Sequence, residues 1–580
     1  MIGPGNSILF LILRRMRAPL IALVLIYAVS MLGLVFIPGV GAEGAPAPPM
    51  GFFHALYFVS YTATTIGFGE IPSAFSEAQR LWTIVIVYLA VLGWTYTVLT
   101  LLALIQDRGF QDALRAIRFR QKVRGLREPF YLVCGCGDTG KQILTALDRL
   151  DCPAVALEIQ EGRVHELELM DLRRDALALI ADARSPAVLQ MAGIDHPQCR
   201  GVIAVTNDDQ ANLAVAMTAH LLNPQVQVLA RTATVRVTEN LVSIGTEQIV
   251  NPFEKFADYL VLAMREPGCY RLIDWLIGVP GARLKPEQTP PRGDWVICGY
   301  GRFGRAIESR LRQEKVSVRV VEPRIDESGN RDTTVGAGTE RQILEGAGIH
   351  LAEGLVIATD DDIANLAIAV TAREVNPDLF VVIRQNSAAN QVLFEAFDAD
   401  LVMQPSEIIA RACLAQLTTP LLTRFLQHVK RQRDHWADNV ILRLRDRIGE
   451  ATPLTWDVRV DTAEAEAIVP GLRSQPASVR LDDLLHDPRH RRESLHCEAL
   501  LLLRAGKETV LPAHETTLLE GDQLLFAGSA GARRLQRMIL QDANVLSYVQ
   551  TGRDVPGGWV WRWLGRGRAR GGAPASGSGA

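Results

Sequence analysis

The sequence predicts an α-helical membrane domain, two spans with a re-entrant helix between them, followed by tandem α/β Rossmann-like domains and a small α+β C-terminal lobe. Three observations carry this. Ala18 to Ile37 and Leu81 to Ile105 are apolar runs that reach the roughly 20 residues a bilayer crossing needs. Between them, Phe52 to Ala63 is apolar and helical in pattern but too short to span. Further on, a strand–loop–helix pattern built on Gly-x-Gly-x-x-Gly occurs twice at matching positions. At 580 residues the chain exceeds one domain. The expected division is a membrane domain (1–105), a connector (106–128), a first Rossmann domain (129–262), a crossover and linker (263–292), a second Rossmann domain (293–412), a crossover and C-terminal lobe (413–545) and a disordered tail (546–580).

Arg14, Arg15 and Arg17 precede the first span, which ends at Pro38-Gly39 with no small-residue cleavage site, so it reads as a retained span. Residues 38–80 hold one basic residue, Arg80, whereas Arg108, Arg115, Arg118, Arg120, Lys122, Arg124 and Arg127 follow the second span. The positive-inside rule then puts both termini in the cytoplasm and the loop between the spans outside, the Ala/Pro/Gly stretch 39–50 forming an external turret. Residues 106–128 read as a basic amphipathic connector whose arginines can meet anionic headgroups. No span carries arginine at every third position, so no voltage sensor is expected.

Net charge is −3, which gives no global signal for nucleic acid. Eight scattered cysteines form no disulfide framework or zinc-type pair. Cys134-Gly135-Cys136 reads as small buried residues at a strand end.

The repeat is detailed. Tyr131-Leu-Val-Cys-Gly135-Cys-Gly137-Asp-Thr-Gly140 matches Trp295-Val-Ile-Cys-Gly299-Tyr-Gly301-Arg-Phe-Gly304. A second strand ends at Glu158 in one copy and Glu322 in the other. Asn212 matches Asn365, and Arg231 matches Arg384. In such folds the glycines let the backbone approach a phosphate at a helix amino-terminus, and the downstream acid bonds ribose hydroxyls. That argues for an adenosine ligand such as NAD, ADP or AMP. Arg302 adds a cation in the second loop, whereas Asp138 places a like charge in the first. No His/Asp or Lys/Tyr catalytic constellation follows the Rossmann units, so an enzyme is not expected.

Thr64-Thr65-Ile66-Gly67-Phe68-Gly69-Glu70 resembles the selectivity filter of potassium channels, usually Thr-Val-Gly-Tyr-Gly-Asp. The resemblance implies K⁺ sites formed by the carbonyls of Thr65, Ile66, Gly67 and Phe68 with the Thr65 hydroxyl, repeated around one axis in a homotetramer. Gly67 and Gly69 supply positive φ, and Ile66 and Phe68 point away from the axis. Phe68 replaces the family tyrosine, Tyr57 and Phe58 stand where two tryptophans are frequent, Glu70 replaces aspartate, and Tyr61 takes the place of a glutamate found in some members. Gly93 implies a gating hinge or a packing glycine of the second span.

Residues 129–545 resemble tandem RCK domains of the KTN or TrkA-N type, which regulate K⁺ channels and transporters. The chain as a whole resembles two-transmembrane-helix prokaryotic potassium channels with such domains, in a bacterial-type inner membrane. Asp182 corresponds to a position that helps bind Ca²⁺ or a nucleotide in family members. Arg231 and Ala233 replace the glutamates that complete one branch's Ca²⁺ site, which ranks nucleotide above Ca²⁺. The expected nucleotide residues are Gly135, Gly137, Gly140, Glu158 and Asp182 in the first unit, and Gly299, Gly301, Arg302, Gly304 and Glu322 in the second. The alternatives are a weakly selective cation channel, a membrane-tethered NAD-dependent oxidoreductase, and a transporter's regulatory subunit.

Overall fold

The computed structural model describes residues 4–40, 46–71, 74–174, 176–246, 248–324, 333–474 and 479–552. They fall into two compact units, residues 1–127 with 191–193, and the remainder.

The first unit holds helices α1 (Pro4–Phe36), α2 (Phe52–Ala63), α3 (Glu77–Gln106) and α4 (Arg108–Arg124). Within α1 and α3, Arg14–Phe36 and Glu77–Gln106 are long and apolar enough to cross a membrane. α3 starts four residues before its apolar run because Ser76 and Gln79 form a capping box. The same two side chains satisfy the carboxyl end of α1: Ser76 Oγ donates to Pro38 O at 3.0 Å, and Gln79 Nε2 to Ile37 O at 3.2 Å. The spans touch closely where they carry glycine. A Cβ on Gly33 would lie 2.0 Å from Trp82 Nε1, and one on Gly93 2.6 Å from Ile26 Cδ1. α3 runs through Gly93 without a break, so the position expected as a hinge is one of close packing between the spans.

The second unit contains two parallel six-stranded sheets and one antiparallel four-stranded sheet. The first sheet uses β1 (Phe130–Cys134), β2 (Ala154–Glu158), β3 (Leu177–Ile180), β4 (Cys199–Ala204), β5 (Gln227–Arg231) and β6 (Gln248–Val250), in the order 3-2-1-4-5-6. The second repeats that order with β7 (Trp295–Cys298), β8 (Val318–Glu322), β9 (Thr333–Val335), β10 (Gly354–Ile357), β11 (Phe380–Arg384) and β12 (Leu401–Met403). This is the doubly wound Rossmann order, with its crevice beside the first strand.

The two sheets exchange helices. After β6, helix Pro252–Arg265 leaves its own sheet. Phe253, Phe256, Leu260 and Met264 pack in one core with Trp295, Ile297, Phe303 and Ile307 of the second repeat. After β12, helix Pro405–Thr418 returns the exchange, and Ile409, Ala410 and Cys413 join Val133, Ile143 and Leu147 of the first. The expected boundary at residue 262 therefore cuts a helix that serves the second repeat. Both helices are apolar on one face and open on proline, features that fit either sheet and do not say which one a helix covers.

The C-terminal lobe pairs Leu454–Arg459, Gln523–Gly528, Cys497–Arg504 and Lys507–Val510 in that spatial order. Helix Ala543–Thr551 closes it, with Leu546 and Val549 in the lobe core. The expected disordered tail is thus helical up to residue 551, and residues 553–580 lie outside the described residues.

Candidate functional site

The loop after α2 has an unusual backbone. φ is +62° at Thr65, +69° at Gly67 and +91° at Gly69, while Ile66 and Phe68 between them stay negative. Alternating left- and right-handed residues turn successive peptide planes the same way, so N–H groups face one side and carbonyls the other. An ordinary strand would alternate them. A carbonyl row at Thr65, Ile66, Gly67 and Phe68 is what the sequence leads one to expect, and the alternation of φ is compatible with it. Two glycines take this conformation at little cost, but a β-branched threonine at positive φ is strained, a condition that persists only where the surroundings impose it. α2 ends at Ala63, and the negative end of its dipole lies at the start of this row and favours a cation.

Aromatic packing holds the loop from behind. Phe68 stacks on Tyr57 at 6.4 Å and meets Tyr61 edge-on at 5.4 Å, and Tyr61 also meets Phe58 at 5.2 Å. The hydroxyl absent from Phe68 has a counterpart on α2: Tyr61 Oη donates to Gly69 O at 2.5 Å. Glu70 accepts from Arg80 Nε at 2.7 Å, Arg80 Nη2 at 3.2 Å and Phe75 N at 2.9 Å. The Arg80 hydrogen bonds, then the Phe75 N–H, hold this carboxylate below its usual range. Arg80 was visible in the sequence only as the one basic residue of the loop region, and its partner ten residues upstream carries no spacing signal.

In the second unit the glycine loops are required by packing. Gly135 and Gly299 sit at φ +103° and +97°. A Cβ on Gly140 would lie 1.9 Å from Gly135 O, and one on Gly304 2.1 Å from Gly299 O, so each third glycine lets its helix close onto the turn. Asn212 and Asn365, both fully buried, tie the end of the fourth strand to the fifth through Arg231 O and Arg384 O.

The acids after the second strands differ. Glu158 is 4 % exposed and accepts N–H bonds from Cys136 (2.6 Å), Ile159 (2.9 Å) and Gln160 (3.0 Å). Arg163 stands 3.9 Å from it and covers Gly137. Its oxygens are therefore committed to the fold. Glu322 is half-buried, accepts among the described residues from Tyr300 N at 2.7 Å and weakly from Arg324 N at 3.4 Å, and lines a cavity of about 870 Å³. Gly299, Gly301, Arg305, Arg324, Thr359 and Asp361 also face that cavity, and nothing lies within 4 Å of a Cβ placed on Gly301.

Two expected residues are placed elsewhere. Arg302 is not in the cavity wall. As the first residue of its helix it projects outward, 5.7 Å from the Phe253 ring of the exchanged helix, beside Arg384 on the same ring at 5.2 Å. Arg305, one turn on, faces the cavity instead. Asp138 accepts from Ala388 N at 3.1 Å, so its charge is aimed at the second repeat. Asp182 is bound by Arg184 through Nε and Nη2 at 3.0 and 2.7 Å, and that pairing lowers its pKa. Cys136 is buried and its thiol pushed up to about 12, as suits a packing residue.

The family described as Ion channel matches residues 20–107, and the TrkA-N domain matches twice, at 131–252 and 295–405. The chain carries one ion-channel domain and two TrkA-N domains. Among its relatives, Probable potassium channel protein 2 of Methanocaldococcus jannaschii is 29 % identical over 205 residues, 35 % of this chain and 57 % of that protein. Potassium channel protein 1 of the same organism is 24 % identical over 203 residues, 35 % of this chain and 59 % of that one. The chain is homologous to these proteins but spans under two thirds of the length of either. The solved structure of the GsuK channel bound to NAD is 16 % identical, with 91 % of this chain and 98 % of that chain covered at a TM-score of 0.43. The ion-channel match contains the second candidate span, the first from residue 20 onward and the Thr65–Gly69 loop, and each TrkA-N match contains one glycine loop with its acid.

Proposed function

We propose that this chain is the subunit of a tetrameric, K⁺-selective channel of a bacterial-type inner membrane, gated by an adenosine phosphate at the second TrkA-N domain. One observation carries the reading: the alternating φ from Thr65 to Gly69, a backbone suited to carbonyls lined along one side of the loop. Four loops around an axis make the K⁺ ladder, and closed cyclic symmetry supplies them. The Phe68–Tyr57–Tyr61 packing and the Tyr61–Gly69 bond favour a rigid, selective filter over a weakly selective one.

Both termini face the cytoplasm in this reading. Arg15 and Asp107 form an ion pair at 2.7 Å, so the start of the first span and the end of the second share one side, where the basic residues also collect. In the second TrkA-N domain, Glu322 receives the ribose, and the loop Gly299–Gly304 with Arg305 and Arg324 receives the phosphates. In the first, Glu158 is already saturated, and Asp182 is held by Arg184, which also weighs against Ca²⁺ there. The tandem domains reshape on binding and move the inner helices through the 106–128 connector.

The test is Rb⁺ flux into liposomes holding the purified chain, with and without AMP, ADP or NAD. A nucleotide-dependent change in flux is expected. Flux indifferent to all three, or turnover of NADH without flux, would reject the gating assignment.

A further inference from the structure

We infer that the cavity between the two exchanged helices is a second ligand site, built for a molecule with a carboxylate or phosphate head on an apolar or aromatic body. The cavity measures about 880 Å³ and is separate from the glycine-loop cleft. That lies within the usual range for small-molecule sites, about 300–1,000 Å³. Phe256 and Tyr259 of Pro252–Arg265 form one wall, Ile408 and Ala412 of Pro405–Thr418 another, and Phe394 a third.

Its charges are unevenly satisfied. Glu407 pairs with Arg411, and Asp274 lies 3.4 Å from Lys285 and 3.6 Å from Arg411. Asp400 pairs with Arg373 at 3.3 Å and accepts from Val381 N at 2.7 Å, and Glu395 accepts from Gln391 at 2.6 Å. Lys255 has no carboxylate partner among the described residues. It feels Lys430 as a like charge, and Lys430, which feels Asp258 as an opposite charge, lies over the Tyr259 ring at 5.0 Å. Burial first, then Lys430, draws the Lys255 ammonium down to about 8. Half-buried Lys255 and exposed Lys430 line the same cavity beside aromatic walls, and the like charge of Lys430 disfavours the Lys255 ammonium unless an anion answers it. An anionic head between Lys255 and Lys430 removes that cost, and the aromatic walls take the rest of the molecule. Because the walls are the helices that bind each repeat to the other, an occupant here sets their spacing. The inference depends on neither the nucleotide nor the K⁺ assignment.

The experiment is calorimetric titration of the full chain in mild detergent with 1-naphthyl phosphate, 2-naphthoate and neutral 2-naphthamide, each against a detergent blank. The two anions should bind once per chain, and the amide about tenfold more weakly or worse, as expected when charge-assisted bonds are lost. At pH 8 anion binding should take up protons, read from its dependence on buffer ionisation heat, because the anion favours charged Lys255. Lys255→Met should abolish the preference for anions and the proton uptake. Lys430→Gln, at the exposed rim, should weaken the anions severalfold without touching the fold. Equal binding of the amide, no anion binding up to about 1 mM, or an intact anion preference in both variants would overturn the inference.

Discussion

Arg80 grips the Glu70 carboxylate with two hydrogen bonds, Nε to Oε1 at 2.7 Å and Nη2 to Oε2 at 3.2 Å. The pair joins the Thr65–Gly69 loop to the first turn of α3, the helix that moves in the proposed gating. Both side chains are over a third exposed, so solvent screens the pair and it adds little to stability. Its larger effect is positional. Arg80→Gln should leave tetramer melting nearly unchanged and reduce K⁺ over Na⁺ permeability severalfold, read from reversal potentials. Glu70 is held charged, so what it contributes is present above the normal carboxylate value and lost only as pH falls through its lowered one. Wild-type current should therefore be flat in external pH from about 8 to 5, and Arg80→Gln should bring a loss near the ordinary glutamate value of about 4.3.

Tyr61→Phe removes one hydrogen bond to the filter backbone, worth about 0.5–1.5 kcal/mol. The variant should conduct with shortened open bursts. Adding Phe68→Tyr restores a hydroxyl on the facing ring, and recovery in the double variant would tie the effect to that bond. Equal bursts in wild type and Tyr61→Phe would remove Tyr61 from the filter's support.

Gly93→Ala should destabilise the spans by about 1–3 kcal/mol, because the added Cβ meets Ile26 Cδ1. Ile26→Val deletes that atom and should restore both melting and opening. If opening stays blocked after the packing is relieved, Gly93 acts as a hinge.

Arg305→Ala and Arg324→Ala should each weaken ADP binding about tenfold, the loss of a charge-assisted bond, while Arg302→Ala leaves it within about twofold. Calorimetry on the full chain separates these. The reverse ranking would return Arg302 to the phosphate site.

Asp457 pairs sheet with crossover: it accepts from Leu421 N at 3.1 Å at the start of helix Pro420–Val429, and burial raises its pKa to about 7. A raised folded value means the folded state binds the proton more tightly, so stability falls as pH rises from about 4 to 7. Asp457→Asn keeps an acceptor for Leu421 and should flatten melting temperature across that window. An unchanged slope would exclude Asp457 as its source.

The parts of this architecture that were legible in the sequence are those fixed by local chemistry. Gly140 and Gly304 declare themselves because any Cβ would strike the carbonyl of the first loop glycine, Gly135 or Gly299, and the repeat doubles the signal. Gly67 and Gly69 declare themselves by their positive φ, with open space around an added Cβ, whereas the positive φ of Thr65 has no compositional mark. What was hidden depends on contacts distant in sequence. The apolar face of Pro252–Arg265 fits either sheet, and only the folded chain shows Phe253 under Phe303. Arg302 has the residue type and position of a phosphate ligand, but the helix turn aims Arg305 at the cleft instead. Glu158 and Glu322 are matched in spacing, and their difference in burial follows from the loops packed around them.

The central claim is tested most directly by the reversal potential of the purified chain in a planar bilayer, with KCl on one side and NaCl on the other. The account predicts current that reverses close to the K⁺ equilibrium potential, and loss of that current in Gly67→Ala while the tetramer survives, since the Cβ penalises the positive φ on which the carbonyl row depends. Reversal near zero, or normal conductance in Gly67→Ala, would contradict it.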